Sequence, residues 1–434
     1  MNFDTLSVLD SRYAQEAQDL LPYFTENAFV EYLKKVECAI LDEHCKRHDL
    51  ALVPNSKFDS IDAQAVYEEE KKTHHQLRAL VNLMQAKLDF KQGAFVHLGV
   101  TSSDVQDTAN ILRIRDAFTQ ILYPELKKLK FLLIEKMTQY RRVNQIGRTH
   151  GQWAIPMTFG WWWAEYVSRV GQSLNAMIKT CPNYGKISGA VGTYDAMSYL
   201  YLDPIEFEVN VLDRLDLKKA EYASQIIPAD GLVRFLSEVN ICFGVLANLA
   251  DDLRNLQRSE IGEVREEFTD TQVGSSTMPH KRNPWNSEHV KSLWKEFAPR
   301  YLTFTMDLIS EHQRDLTNSA SSRFITEYLT GFHLAVSRTI QTLEGLQVDT
   351  QKMQSRCEFH SAEKAYILLA EQGYPNAHET IRRITTIAQA DGVDFEDALK
   401  ASDWWDKIKD RYYVVHADVS QEVMSRIADK YLTE

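Results

Sequence analysis

The stretch "DGLVRFLSEVNICFGVLANLADDLRNLQ", Asp230 to Gln257, contains no proline, and its apolar residues recur at steps of three and four: Leu232, Val233, Leu236, Val239, Phe243, Leu246, Leu249, Leu253 and Leu256. That period is the signature of a helix with a wide apolar face. As one helix it would run about 42 Å at ~1.5 Å per residue. Similar patterns cover 110–142, 158–180, 286–313 and 324–346, with Pro299 expected to kink the fourth. Five long helices imply an elongated bundle. Several are apolar on more than one face, which predicts packing against other subunits as well as against each other.

Around this core the text is plainer. The first 108 residues read as shorter helices with loops, and the chain from 351 onward as short helices and turns ("EQGYPNAHE", "QADGVDFEDALKASDWW"). No strand ladder, internal repeat, low-complexity tract or linker stands out. The expected fold is all-α in three parts: 1–108, 109–350 and 351–434, the middle part a long helical bundle.

Composition narrows the function. With 434 residues, 44% of them hydrophobic, the chain can bury a large core, and its length alone suggests two to four domains. A formal net charge of −12 argues against nucleic acid or an anionic membrane surface as partner. It leaves room for a small anion bound by local arginines. No apolar run approaches the roughly 20 residues of a membrane span. The opening "MNFDTLSVLDSRYAQ" is acidic and lacks the apolar core of a signal peptide. Five scattered cysteines make a disulfide framework improbable and fit a reducing cytoplasm.

Three polar segments interrupt the helical text. "HLGVTSSDVQDTAN" (His97 to Asn110) sets Thr101, Ser102, Ser103 and Asp104 just ahead of a helical pattern. Such residues cap helices, and the same donors at a helix N-terminus suit a carboxylate. "GRTHGQWAIPMTFG" (Gly147 to Gly160) sets His150 beside a glycine, after Arg148 and Thr149. It is either an ordinary loop histidine or one positioned for proton transfer near neutral pH. "GSSTMPHKRNP" (Gly274 to Pro284) carries Ser275 and Ser276, His280, Lys281, Arg282 and Asn283. A serine there needs a cationic or donor-rich surrounding to ionise, and Lys281 and Arg282 supply charge. Lys281 and Asn283 are also suited to holding a carboxylate.

Together the three segments resemble the conserved blocks of the fumarase/aspartase superfamily, in the same order and over most of the chain. "GSSTMPHKRNP" is similar to its signature loop. Within the superfamily the resemblance is to the adenylosuccinate lyase family. It is carried by "SRY" (Arg12, Tyr13), the full "GRTHGQ" block, the glycine-rich "GKISGAVGTYDA", "SQIIPAD" with Gln225, and "HQRDLTNSASSR" with Arg314, Ser319 and Arg323. The family's His-Asp-Val-x-Ala block is here "THHQLRA". His75 takes the histidine place and Gln76 the aspartate place, and the adjacent His74 leaves the assignment open by one position.

The resemblance implies cleavage of a C–N bond by β-elimination, releasing fumarate from a succinyl-nucleotide. It assigns Ser275 as base and His150 as general acid, with His75 and His97 lining the site. Lys281 and Asn283 would hold the carboxylate that gains charge, and Thr101 and Ser102 the other succinyl carboxylate. Gln225 would contact substrate near the scissile bond and Arg314 the succinyl part, while Arg12, Tyr13, Ser319 and Arg323 would hold the phosphate. It also implies a homotetramer whose sites each draw on three subunits, and no cofactor or metal. "DEHCKRHD" offers His44, Cys45 and His48, but shows no fourth ligand and reads as a solvated face. Trp161 to Trp163 and the Trp404–Trp405 pair read as packing.

Overall fold

The computed structural model describes residues 4–269, 271–358, 362–413 and 418–432. It is helical throughout, as expected, with three two-stranded sheets as the only strand pairings among the described residues. The long helices are Glu26–Arg47, Ser102–Ala117 running through a π turn (Phe118–Leu122) into Tyr123–Gln139, Phe159–Thr180, Asp230–Leu256, Trp285–Phe297 and Ile325–Glu344.

The chain divides into two compact units. The first comprises Met1–Leu129, Gln172–Asp251 and Trp285–Gln341; the second Lys130–Gly171, Asp252–Pro284 and Thr342–Glu434.

In the first unit, one core gathers Leu33, Val36, Ile40, Leu77, Leu80, Val105, Leu112, Ile187, Phe207 and Val211 around the Glu26–Arg47 helix. Elsewhere in this unit the long helices lock through aromatic rings. Phe235 meets Phe118 edge-on at 5.2 Å, and Phe243 meets Phe332 at 5.5 Å. The Tyr328 hydroxyl donates to Asn240 Oδ1 at 3.2 Å. Along Asp230–Leu256 the expected apolar positions from Val233 onward are buried. Phe235, Cys242, Val245 and Ala247 are buried too, so much of the helix's second apolar face is covered within the chain.

The second unit contains a C-terminal cluster built on Leu368, Leu369, Ile381, Leu399, Ile408 and Tyr412. Trp404 and Trp405 pack on it through Tyr374 and Tyr412, at 5.3 and 5.5 Å. Trp163 is fully buried, and Trp162 wedges between Phe159, Trp163 and Tyr166. Trp162 and Trp163 are therefore packing, as the pattern suggested, while Trp161 is exposed.

Four expectations need correction. The N-terminal part holds a 22-residue helix, Glu26–Arg47. The 286–313 pattern breaks into Trp285–Phe297, a 3₁₀ turn at Ala298–Arg300 and Tyr301–Met306. Pro299 removes a backbone donor, and the helix stops well before 313. The Asp230–Leu256 helix is long and apolar enough to cross a membrane by length and composition, but its most apolar window is 56% buried inside the protein, as a core helix would be. The His44 segment is not a solvated face: His44 and Cys45 are wholly buried. The His44 ring lies between the Tyr201 hydroxyl (2.6 Å) and the Leu98 carbonyl (3.1 Å), and burial pushes its pKa down to about 4. No cluster fit for a metal ion occurs among the described residues.

Candidate active site

The first unit brings several of the expected residues together. Thr101 caps the Ser102–Ala117 helix, and its backbone N–H donates to Asp104 Oδ2 at 2.8 Å, closing a capping box. Above this helix end, Gln225 bridges two neighbours. Its amide N–H donates to Thr101 Oγ1 at 3.5 Å, and its Oε1 accepts from Arg314 at 3.3 Å. A hydroxyl, an amide and a guanidinium thus converge on a half-buried helix N-terminus, a grouping suited to a carboxylate.

His75 joins this group. It is the N-cap of the Gln76–Gln85 helix, and its Nδ1 accepts the Arg78 backbone N–H at 3.2 Å. That bond leaves the neutral ring's proton on Nε2, which faces Ser102 Oγ at 3.4 Å. His74 instead ends the preceding helix in the left-handed conformation. The geometry thus separates two histidines that the sequence left one position apart. Gln76, in the place of the family aspartate, is not the group that orients His75; the backbone does so.

His97 also has positive φ, 62°. Its Nδ1 donates to Glu37 Oε1 at 2.6 Å, and Glu37 is fully buried. Burial lowers the His97 pKa, but the bond and charge of Glu37 outweigh it, and the pKa stands above its usual value.

The residues expected to hold phosphate all fall in this unit. Tyr13 bonds His289 Nε2 at 3.1 Å, while Arg12, Ser319 and Arg323 are exposed. Among the described residues no hydrogen bond joins Arg12 or Tyr13 to Ser319 or Arg323.

The second unit holds the remaining four. His150 sits at the tip of a hairpin formed by Asn144–Thr149 and Gln152–Thr158, with Thr149 opposite Gln152. His150 and Gly151 both have positive φ, 53° and 74°. That pair defines a type I′ turn, the one whose twist matches a tight hairpin. Sequence reading took this segment as a glycine loop; the alternation in "QIGRT" and "WAIPMT" was the missed signal. The hairpin is anchored by Glu263, a fully buried carboxylate that accepts from Gln145 at 2.9 Å, from Arg356 at 2.7 Å and from both Nη1 and Nη2 of Arg148. Burial alone would raise the Glu263 pKa, but these donors hold it below the usual carboxylate range.

The signature loop has its own order. Ser275 Oγ accepts two backbone N–H groups, from Met278 at 3.1 Å and Thr277 at 3.4 Å. Donors to the oxygen favour its ionised form, which a serine acting as base requires. Asn283 Nδ2 donates to the Gly274 carbonyl at 3.0 Å. A Cβ at position 274 would sit 2.2 Å from the Lys281 carbonyl oxygen. Glycine is thus needed there for close packing of the loop on itself. No hydrogen bond among the described residues joins His150 to this loop.

Sequence reasoning missed four supporting residues: Glu37, Asp104, Lys186 and Glu263. Asp104 and Lys186 were visible only as a cap and as part of a glycine-rich stretch, and their partners lie far along the chain.

Comparison with known proteins bears on the same residues. Positions 36–295 match the family model described as Lyase, and 310–418 the one described as adenylosuccinate lyase C-terminal. The chain is 31% identical over 415 residues to the adenylosuccinate lyase of Pyrococcus abyssi, covering 91% of this chain and 90% of that one. It is 32% identical over 406 residues to that of Archaeoglobus fulgidus, covering 90% and 89%. Its fold is similar to the crystal structure of 3-carboxy-cis,cis-muconate lactonizing enzyme from Pseudomonas putida, with a TM-score of 0.82 at 22% identity over 96% of this chain and 97% of that one. It also resembles a fumarate lyase from Mesorhizobium sp. BNC1, with a TM-score of 0.81 at 18% identity over 96% and 97% of the two chains. The chain belongs to the adenylosuccinate lyase family of the fumarase/aspartase superfamily, and it is an enzyme, a C–N lyase.

Proposed function

We propose that the chain cleaves adenylosuccinate to AMP and fumarate, and succinyl-aminoimidazole-carboxamide ribotide to its carboxamide ribotide and fumarate, in purine nucleotide biosynthesis. The observation that carries the reading is the match to an adenylosuccinate lyase over 91% of this chain and 90% of the relative. A substrate without phosphate would leave Arg12 and Arg323 without a task; both are exposed, and neither has an ion pair among the described residues.

In this reading Ser275 takes the proton from the succinyl carbon next to a carboxylate, and the two N–H groups on its oxygen support the anion that does so. Lys281 and Asn283 stabilise the dianion formed as that proton leaves. Asn283 spends one amide N–H on the Gly274 carbonyl and keeps the second for substrate. The C–N bond then breaks, and His150 delivers a proton to the departing nitrogen. The helix N-terminus at Thr101 and Ser102 holds the other succinyl carboxylate, with Gln225 and Arg314 beside it and His75 and His97 lining the site. Arg12, Tyr13, Ser319 and Arg323 hold the phosphate, where the arginine forks fit its oxygens.

The same reading makes the protein a homotetramer with shared sites. The part 109–350 forms the intersubunit core between 1–108 and 351–434. It places the enzyme in the cytoplasm, which the five unpaired cysteines support.

The test is fumarate release from adenylosuccinate, followed for the wild type and for Ser275→Ala. Turnover by the wild type, and its loss in the variant with binding retained, is the expected result. No release by the wild type would move the substrate to another succinyl adduct; full activity in Ser275→Ala would remove the serine from the role of base.

A further inference from the structure

The Asp104–Lys186 ion pair is wholly buried, both side chains 0% exposed. The Lys186 ammonium donates to Asp104 Oδ1, to the Gln225 carbonyl at 2.8 Å and to the Gly189 carbonyl at 3.4 Å. Its three protons are spent, so it has nothing left to offer a ligand. Asp104 is equally committed. Beyond Thr101 N it accepts the backbone N–H of Ser188 at 3.1 Å and of Gly189 at 3.1 Å. The Lys186 main chain is in turn fixed to the helix. Its N–H donates to Thr108 Oγ1 at 3.1 Å, and that hydroxyl donates to the Lys186 carbonyl at 3.2 Å. On the same helix face, Asp107 accepts the Ile227 N–H at 3.0 Å.

The result is a clamp on one short segment. Residue 225 is held by its carbonyl through Lys186, itself paired with Asp104 of the Ser102–Ala117 helix, and residue 227 by its N–H directly through Asp107 of that helix, which Thr101 caps. A buried ion pair is poor evidence for stability in itself, because desolvation offsets its attraction, and such pairs are best understood where they fix one arrangement among several. Here the arrangement fixed is that of the Gln225 side chain, which lies between Thr101 Oγ1 and Arg314.

The geometry points to Asp104, Lys186 and Asp107 as positioning residues for the elimination, acting through Gln225. They lock the Gln225 backbone to the first turn of the Ser102–Ala117 helix, so that the amide and the carboxylate-binding donors meet substrate in fixed register. This rests on Gln225 being a substrate contact, as proposed above. A misplacement of about 1 Å at a positioning group can lower the rate about 100-fold.

The test is a double-mutant cycle on fumarate release, with Gln225→Ala and Lys186→Met measured singly and together. Each single variant is expected to lower kcat/KM about 100-fold. The combination should be little worse than either alone, because the clamp has no other route to substrate. Additive losses would show that Lys186 merely supports the fold, and would overturn the proposal. An inert Gln225→Ala would remove Gln225 from the site and the proposal with it; that failure shows in the single variant, apart from any result on Lys186. Should Lys186→Met not fold, the cycle is run with Asp104→Asn combined with Lys186→Met, which removes both buried charges, and with Asp107→Ala, which removes the acceptor for Ile227.

Discussion

Replacing Asp107 by asparagine should make the protein more stable. Asp107 lies among Asp104, Lys186 and Arg314, and its Oδ2 accepts the Ile227 N–H. Burial dominates: it pushes the carboxyl from 3.8 to about 6, against the lowering effects of the Ile227 bond and the two cations. The native state therefore holds the proton more tightly than the unfolded chain does. Stability is lost as pH rises from about 4 through about 6, and above that the ionised group costs a constant amount. At ~1.4 kcal/mol per pKa unit, the difference amounts to roughly 3 kcal/mol. Asparagine keeps an acceptor for Ile227 and removes the charge. At about 2 °C per kcal/mol for a cooperative unit of this size, Tm should rise by about 5 °C at pH 8 and by roughly half that at pH 5. The assay is a thermal scan of both proteins at matched rate across that range, with fumarate release measured alongside. A Tm at pH 8 equal to or below wild type, or a gain that does not shrink toward pH 5, would refute the assignment of a destabilising carboxylate.

Other residues give sharper local tests. Glu263→Ala leaves Arg148 and Arg356 without their buried partner and should cost about 3–5 kcal/mol, read as a lower urea midpoint. Because the native Glu263 pKa is depressed, the loss should be full above about pH 4.5 and fade as the pH falls; a loss independent of pH would contradict this. Glu37→Gln should lower the His97 pKa in an NMR titration, since Glu37 is what holds it up. The stability that His97 adds through Glu37 is present below about pH 6.5 and disappears as pH rises through its raised pKa; an unmoved His97 titration would exclude the pairing. Tyr201→Phe strands His44 Nδ1 in the core and should cost about 1–3 kcal/mol; a loss under about 0.5 kcal/mol would mean that water takes the hydroxyl's place.

The helices were legible where one physical signal dominated. The pattern in Asp230–Leu256 is a direct image of burial, and nearly every apolar position it named is inside. Pro299 announced its break for the same kind of reason, because the local chain decides it. The catalytic blocks were legible as residue types at known spacing. What stayed hidden was long-range or depended on backbone conformation. Nothing near Asp104 in the sequence points to Lys186, which is 82 positions away. Nothing in "THGQ" states that histidine and glycine share a left-handed turn, although alternation on both sides hints at a hairpin. The buried His44 was misread because its charged neighbours in "DEHCKRHD" suggest solvent, while tertiary packing turns that stretch of the helix inward.

One consequence of the 274–284 loop concerns how it would move. Asn283 ties back to Gly274, and the Lys281 carbonyl lies over the Gly274 α-carbon, closing the residues between into a ring. Inside the ring, Ser275 is already fastened to two backbone amides. A segment tied in this way is preassembled, so that any bending would fall on the residues flanking Gly274 and Asn283. Closing it over a ligand would then require a swing rather than a folding step, and the ordering entropy that weakens capture by a floppy lid has already been spent.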